Sequence, residues 1–141
     1  MKHTRVSLRV HCIFSTKDRR PAIPEELQSR TWAFIGAIAR NLGLKAIAVG
    51  GMADHAHILL LLAPTMPLAE AVQKIKANSS RWLREQTGKP FQWQEGYAAF
   101  SVSISHTDAT VAYILNQRKH HARRSFDQEL AAILKKHRME E

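Results

Sequence analysis

The sequence predicts an α+β fold. Three observations carry that expectation. Apolar and polar residues alternate with period two from Val6 to Phe14, two stretches starting at Pro24 and Leu68 repeat apolar residues at helical spacing, and Ile58–Ala63 is an apolar run of buried-strand length. In order, the elements read strand, helix, strand, strand, helix, strand, then two more helices. The first six match the β-α-β-β-α-β arrangement of a ferredoxin-like sandwich with an antiparallel sheet.

The first strand should bury Val6, Leu8, Val10, Cys12 and Phe14, which places His11 on the opposite face, as an accessory site residue or, the preferred reading, as a solvated strand histidine. Lys17–Pro21 is a charged turn. Pro24 followed by Glu25 and Glu26 marks a helix start, because proline suits the first turn and acids suit the positive end of the helix dipole. Leu27, Thr31, Phe34, Ile35, Ile38 and Leu42 share one face of that helix, and Asn41 and Gly43 close it. A second strand is expected from Leu44 to Val49, with Gly50, Gly51 and Asp54 as the connection to the next. Pro64 and Pro67 break the chain before a helix from Leu68 to about Gln86. Phe91–Tyr97 is aromatic and turn-like. A fourth strand is expected over Ala98–Ile104, a helix over about Asp108–His120, and a last helix opening on the capping box Ser125-Phe126-Asp127-Gln128.

The 141 residues suffice for one domain with a real core, and no internal repeat or linker interrupts them. Lys and Arg number 21 against 12 Asp and Glu, a formal charge of +9. Such an excess points to a polyanionic partner such as nucleic acid, or simply to a basic, soluble surface. One cysteine, Cys12, excludes an intrachain disulfide. No signal-peptide pattern opens the chain, and its longest apolar run is too short to span a membrane. A soluble, cytoplasmic protein is expected.

Two short motifs carry chemistry. His55 and His57 flank Ala56 on a strand, so both imidazoles face the same way. Such a pair is either a strand-end surface feature or two ligands for one metal ion. Tyr113 and Gln117 lie four apart, one turn from each other on a helix. A tyrosine oxygen can act as a covalent nucleophile, and an amide carbonyl suits Mg²⁺ or Mn²⁺. Taken singly, Tyr113 could be a packing residue and Gln117 an exposed one.

In combination these residues resemble a known family. Cys12–Lys17, Asp54-His55-Ala56-His57 followed by Ile58–Leu60, Trp93–Tyr97 with Phe100–Ser103, and Tyr113 with Gln117 are similar in order and spacing to the HUH transposases with a single catalytic tyrosine. These are the IS200-like insertion-sequence transposases and their relatives associated with repetitive extragenic palindromes. The resemblance implies that C-terminal helices carry a catalytic Tyr113, and that His55, His57 and Gln117 bind a divalent metal, Mg²⁺ or Mn²⁺. It implies cleavage and rejoining of single-stranded DNA beside hairpins through a 5′-phosphotyrosine. It also implies a homodimer in which the tyrosine helix of one subunit reaches the histidine strand of the other.

Candidate DNA contacts are Lys17, Arg19 and Arg20 in the charged turn, and Lys74, Lys76, Arg81 and Arg84 on the second helix. The run of Arg118, Lys119, His120, His121, Arg123 and Arg124 follows the tyrosine helix. Trp82 is expected in the core, Trp93 either in the core or against a base, and Tyr97 in a structural role. Two other readings fit the same chain. One is a domesticated relative that processes chromosomal palindromes. The other is a non-enzymatic single-strand binder, which leaves the His55, His57, Tyr113, Gln117 set without a role.

Overall fold

The computed structural model describes residues 3–121 and 124–139. Four strands form one antiparallel sheet in the order β2-β3-β1-β4: β1 (Arg9–Ser15), β2 (Lys45–Met52), β3 (His55–Leu61) and β4 (Ala98–Val102). The helices are α1 (Glu25–Asn41), α2 (Leu68–Thr87), α3 (Thr107–Leu115), α4 (Gln117–His121) and α5 (Phe126–Lys136). Element order and strand order are those of the expected ferredoxin-like α+β fold.

One face of the sheet is the main core. Cys12 and Phe14 from β1 and Ala56, Ile58 and Leu60 from β3 pack there against Ile35 and Ile38 of α1 and Val72, Ile75 and Leu83 of α2. The other face is also covered. Ala48 and Leu59 hold Ile114 of α3, while Ile13 and Phe100 hold Phe126, Leu130, Ile133 and Leu134 of α5. This double cover corrects the reading of His11: it is 8% exposed, because α3 and α5 roof the face on which it lies. No helix among the described residues is long and apolar enough to cross a membrane.

Other boundaries moved for local reasons. Val6 and Leu8 are 42% and 49% exposed, since β3 ends at Leu61, opposite Arg9, and leaves the preceding residues beyond the ladder. Ile104 is 72% exposed in a 3-10 turn, so β4 stops at Val102. Gly50 and Gly51 lie inside β2, paired with His57 and Ala56, and the connection shrinks to Ala53-Asp54. The expected single helix over 108–120 is broken at Asn116, where the backbone turns to φ −105°, ψ 30° and separates α3 from α4.

Trp93 belongs to the core: it is 6% exposed and donates from Nε1 to Ser79 Oγ at 3.0 Å. Trp82 is partly buried and stacks on Phe34.

Candidate active site

The site grows from the second face of β3. His55 and His57 are both fully buried there, and each has a neighbour that turns its ring. Asp54, in the turn just before β3, accepts from His55 Nδ1 at 2.7 Å. His11, on β1, meets His57 with 2.8 Å between its Nε2 and His57 Nδ1. With both Nδ1 atoms engaged, both Nε2 atoms face inward, which is how partners of this kind commonly set a metal-binding histidine.

α3 brings Tyr113 and Ile114 onto β2 and β3. The approach is close because Gly50 has no side chain: a Cβ there would collide with the Ile114 carbonyl oxygen. Beyond the Asn116 break, Gln117 is 2% exposed and its Oε1 lies 3.0 Å from His55 Nε2. Its Nε2 donates to the Tyr113 carbonyl at 3.2 Å, so the two residues remain one turn apart despite the break. The four residues singled out from the sequence are therefore gathered in one place. Within this single chain the tyrosine helix lies on its own sheet.

Two further members join those four: Glu129, which the sequence reading missed, and His121, which it counted with the DNA contacts. Glu129 of α5 is fully buried. Its Oε1 is 3.0 Å from His57 Nε2, and its Oε2 accepts the Tyr113 hydroxyl. His121 of α4 places Nε2 3.1 Å from Gln117 Oε1 and 3.2 Å from Glu129 Oε1. A signal for Glu129 was present: it stands three residues after Phe126 and four before Ile133, so it is a carboxylate on the apolar face of an amphipathic helix. α5 is held at its start by the capping box formed by Ser125 and Gln128, and Phe126 stacks on the His55 ring at 4.4 Å.

Burial dominates the electrostatics. It pushes His11 down to about 3, with His57 beside it adding to the effect, and it lowers His57 as well. Burial also raises the Tyr113 hydroxyl, and the hydrogen bond to Glu129 raises it further. Glu129 goes the other way. Burial alone would raise it, but the bonds from His57 and Tyr113 hold it well below the usual carboxylate range. The consistent picture is a neutral His57 donating to an ionised Glu129.

The candidate DNA contacts divide by what they already touch. Lys76 donates to the carbonyls of Gln94 and Gly96 at 2.6 and 2.8 Å, and Arg84 donates to that of Phe91 at 3.1 Å, so both staple the 91–96 segment to α2. Arg19 pairs with Asp127 at 2.7 Å, Arg118 with Glu25 at 2.8 Å, Lys74 with Glu70 at 3.0 Å and Arg20 with Asp18 at 3.9 Å. Arg81 donates to Asn78 at 2.7 Å. Lys17 and Lys119 are exposed, and Arg124 is close enough for its charge to lower the Tyr113 hydroxyl. Arg123 lies outside the described residues. Tyr97 is 42% exposed just before β4.

The donor set fits a divalent cation. His55, His121 and Glu129 alone present three ligand atoms within 4.8 Å of one another, and His57 Nε2 and Gln117 Oε1 converge on the same atoms. Imidazole nitrogens mixed with hard oxygens suit first-row divalent ions.

A family model described as "Transposase IS200 like" matches residues 4–117. The chain is 28% identical over 88 residues to the transposase for insertion sequence element IS200 of Salmonella typhimurium, a match spanning 62% of this chain and 58% of that one. It is 26% identical over 117 residues to the ISDra2 transposase TnpA of Deinococcus radiodurans, covering 78% of this chain and 84% of that one. A crystal structure described as a transposase from Deinococcus radiodurans superposes with a TM-score of 0.67 at 25% identity, over 79% of this chain and 90% of that one. A REP-associated tyrosine transposase bound to a REP hairpin shares the fold, with a TM-score of 0.55 at 15% identity over 81% of this chain and 70% of that one. With the family match running through the sheet, the histidine strand and the tyrosine helix as far as Gln117, the chain belongs to the IS200-like transposase family.

Proposed function

We propose that the protein is a tyrosine transposase that cleaves and rejoins single-stranded DNA beside hairpins. One observation carries the reading: the Tyr113 hydroxyl is joined through Glu129 to His57, and His55 is joined to Gln117, so nucleophile and metal donors form one bonded cluster.

The roles follow from the contacts. His55 and His57, turned by Asp54 and His11, offer inward-facing Nε2 atoms, and Gln117 adds its carbonyl oxygen. A divalent cation bound there, Mg²⁺ or Mn²⁺, would supply Lewis-acid polarisation of a phosphate oxygen. Tyr113 attacks the scissile phosphorus. Its Oη–P bond forms as the P–O3′ bond breaks, the phenol proton passes to solvent, and the leaving oxygen takes one from solvent as a free 3′-hydroxyl. The product is a 5′-phosphotyrosine, and attack by another 3′-hydroxyl reverses the step. Exposed Lys17 and Lys119, with Arg124 near enough to act on the Tyr113 hydroxyl, support binding of a polyanionic strand.

The test is adduct formation on single-stranded oligonucleotides with Mn²⁺, read on denaturing gels. Tyr113→Phe should give no adduct while retaining DNA binding, and Tyr97→Phe should give adduct as wild type does. Adduct persisting in Tyr113→Phe would refute the nucleophile. The homodimer with shared sites, expected from the resemblance, has its own test: mixing His57→Ala with Tyr113→Phe protein restores cleavage only if the tyrosine helix of one subunit serves the histidine strand of the other.

A further inference from the structure

We infer that Glu129 is itself a ligand of the divalent cation and, through its second oxygen, the residue that positions the nucleophile. The inference rests on the metal-dependent reading above and extends the ligand set beyond His55, His57 and Gln117, with His121 as a companion ligand. Both added residues lie beyond residues 4–117, the span matched by the family.

The spacing of the donor atoms is the first argument. His55 Nε2 and Gln117 Oε1 are 3.0 Å apart, His121 Nε2 and Gln117 Oε1 3.1 Å, His57 Nε2 and Glu129 Oε1 3.0 Å, His121 Nε2 and Glu129 Oε1 3.2 Å, and His55 Nε2 and Glu129 Oε1 3.5 Å. Ligands about 2.1 Å from one ion stand about 3.0 Å apart along an octahedral edge and about 3.4 Å apart along a tetrahedral one. Each of the separations falls near those edges. The second argument is crowding. Three imidazole nitrogens crowd the single oxygen Oε1, those of His57 and His121 at hydrogen-bond distance and that of His55 at 3.5 Å while it bonds Gln117 Oε1. A shared cation resolves that convergence.

The third argument is charge. Glu129 is fully buried, and its ion-pair partners among the described residues are those three imidazoles, with no Lys or Arg among them. A buried carboxylate calls for a firm counter-charge, which a divalent cation provides.

The second oxygen gives the residue its other role. Oε2 accepts the Tyr113 hydroxyl, so one rigid carboxyl group fixes the nucleophile relative to the metal donors. The carboxylate is itself held in place, since the Ser125 cap and the Phe126 ring on His55 anchor the first turn of α5. Three imidazoles, an amide oxygen and a carboxylate also favour Mn²⁺ over Mg²⁺, which prefers oxygen and water.

The experiment is calorimetric titration of Mn²⁺ into the chelator-stripped full chain without DNA, followed by adduct rates at saturating Mn²⁺. Glu129→Ala should weaken Mn²⁺ at least tenfold, Glu129→Gln should fall between it and wild type, and Tyr113→Phe should bind Mn²⁺ as wild type does. At saturating Mn²⁺, Glu129→Ala should still form adduct at least tenfold more slowly, because the hydroxyl has lost its tether. Mg²⁺ should bind wild type more weakly than Mn²⁺. Unchanged Mn²⁺ affinity in Glu129→Ala and Glu129→Gln overturns the ligand role. Faster cleavage by either variant overturns the positioning role and makes Glu129 a plug in the place of the scissile phosphate. Should the alanine variant unfold, the near-isosteric Gln carries both readouts. Wild type that takes up no Mn²⁺ overturns this inference together with the metal reading. Wild type that binds Mn²⁺ tightly through Glu129 but forms no adduct overturns the phosphotyrosine reading alone.

Discussion

Gly50→Ala tests how the tyrosine helix is seated. The added Cβ would meet the Ile114 carbonyl oxygen at an impossible distance, and the Ile114 carbonyl carbon and Cγ2 at 3.2 Å each. Ile114 is fully buried between Ala48 and Leu59, so α3 cannot roll aside freely. Overpacking of this kind costs about 1–3 kcal/mol, a fall in Tm of roughly 3–12 °C for a chain of this size. The backbone must retreat by on the order of 1 Å, and a misplacement of that size at a catalytic group can cost ~100-fold in rate. Tyr113 precedes Ile114 and Gln117 follows it by three residues, so both move with it. The control is Gly36→Ala, in the interior of α1, where an added Cβ meets nothing within 4 Å. The same substitution there should stabilise by about 0.5–1 kcal/mol and leave the rate alone. Thermal unfolding by circular dichroism, paired with adduct yield, reads both effects. Wild-type Tm and adduct yield in Gly50→Ala would refute the claim that this glycine seats the helix.

Two further outcomes are expected. Single-strand binding should weaken with salt, and neutralising exposed Lys17 or Lys119 should each reduce the log–log slope by about 0.7 if each contacts one phosphate. Lys76→Ala, by contrast, should lower Tm with little change in slope, because that side chain is committed to the carbonyls of Gln94 and Gly96. Cys12 is fully buried, and burial pushes its thiol from 9.0 up to about 12. A group that holds its proton more tightly when folded contributes full stability below pH 9 and loses it as pH rises toward 12, about 4 kcal/mol in all. Alkaline denaturation of Cys12→Ala should lack that component, and equal alkaline profiles for the two proteins would contradict it.

The fold was legible where periodicity was long and capped. α1 and α2 begin and end within a residue or two of where Pro24, Pro67 and the glycines place them, and the Ser125 box forms as written. The strand pattern of β1 misled because it assumes one wet face: with α3 and α5 roofing the second face, His11, Ile13 and Ser15 are buried along with Cys12 and Phe14. His55 and His57 were legible because they share β3, where spacing dictates facing, and Tyr113 and Gln117 because the Gln117 amide still reaches the Tyr113 carbonyl across the Asn116 break and keeps them one turn apart. Glu129 reaches the site only through tertiary folding at the start of α5, and no local spacing links it to β3, whereas His121 follows Gln117 by four residues on α4, a spacing hidden inside the basic run read as a DNA contact. The staples made by Lys76 and Arg84 were invisible for the same reason, since a basic helix flank does not reveal which carbonyls will come to it.

The alternation of β3 has a consequence for folding. Ala56, Ile58 and Leu60 turn toward α1 and α2, while His55 and His57 turn toward α3 and α5. A one-residue slip against β1 would exchange the two sets, because the side-chain period is two. The slipped strand would drive two imidazoles among Cys12, Phe14 and Ile75 with no acceptor in reach, at about 1–3 kcal/mol each, and would strip Ile58 and Leu60 of their apolar neighbours. An all-leucine strand would carry no such preference between its two faces. The histidines that bind and act therefore also select the register in which the strand can settle, and replacing both with apolar residues should yield a sheet that is no less greasy but less certain of its own alignment.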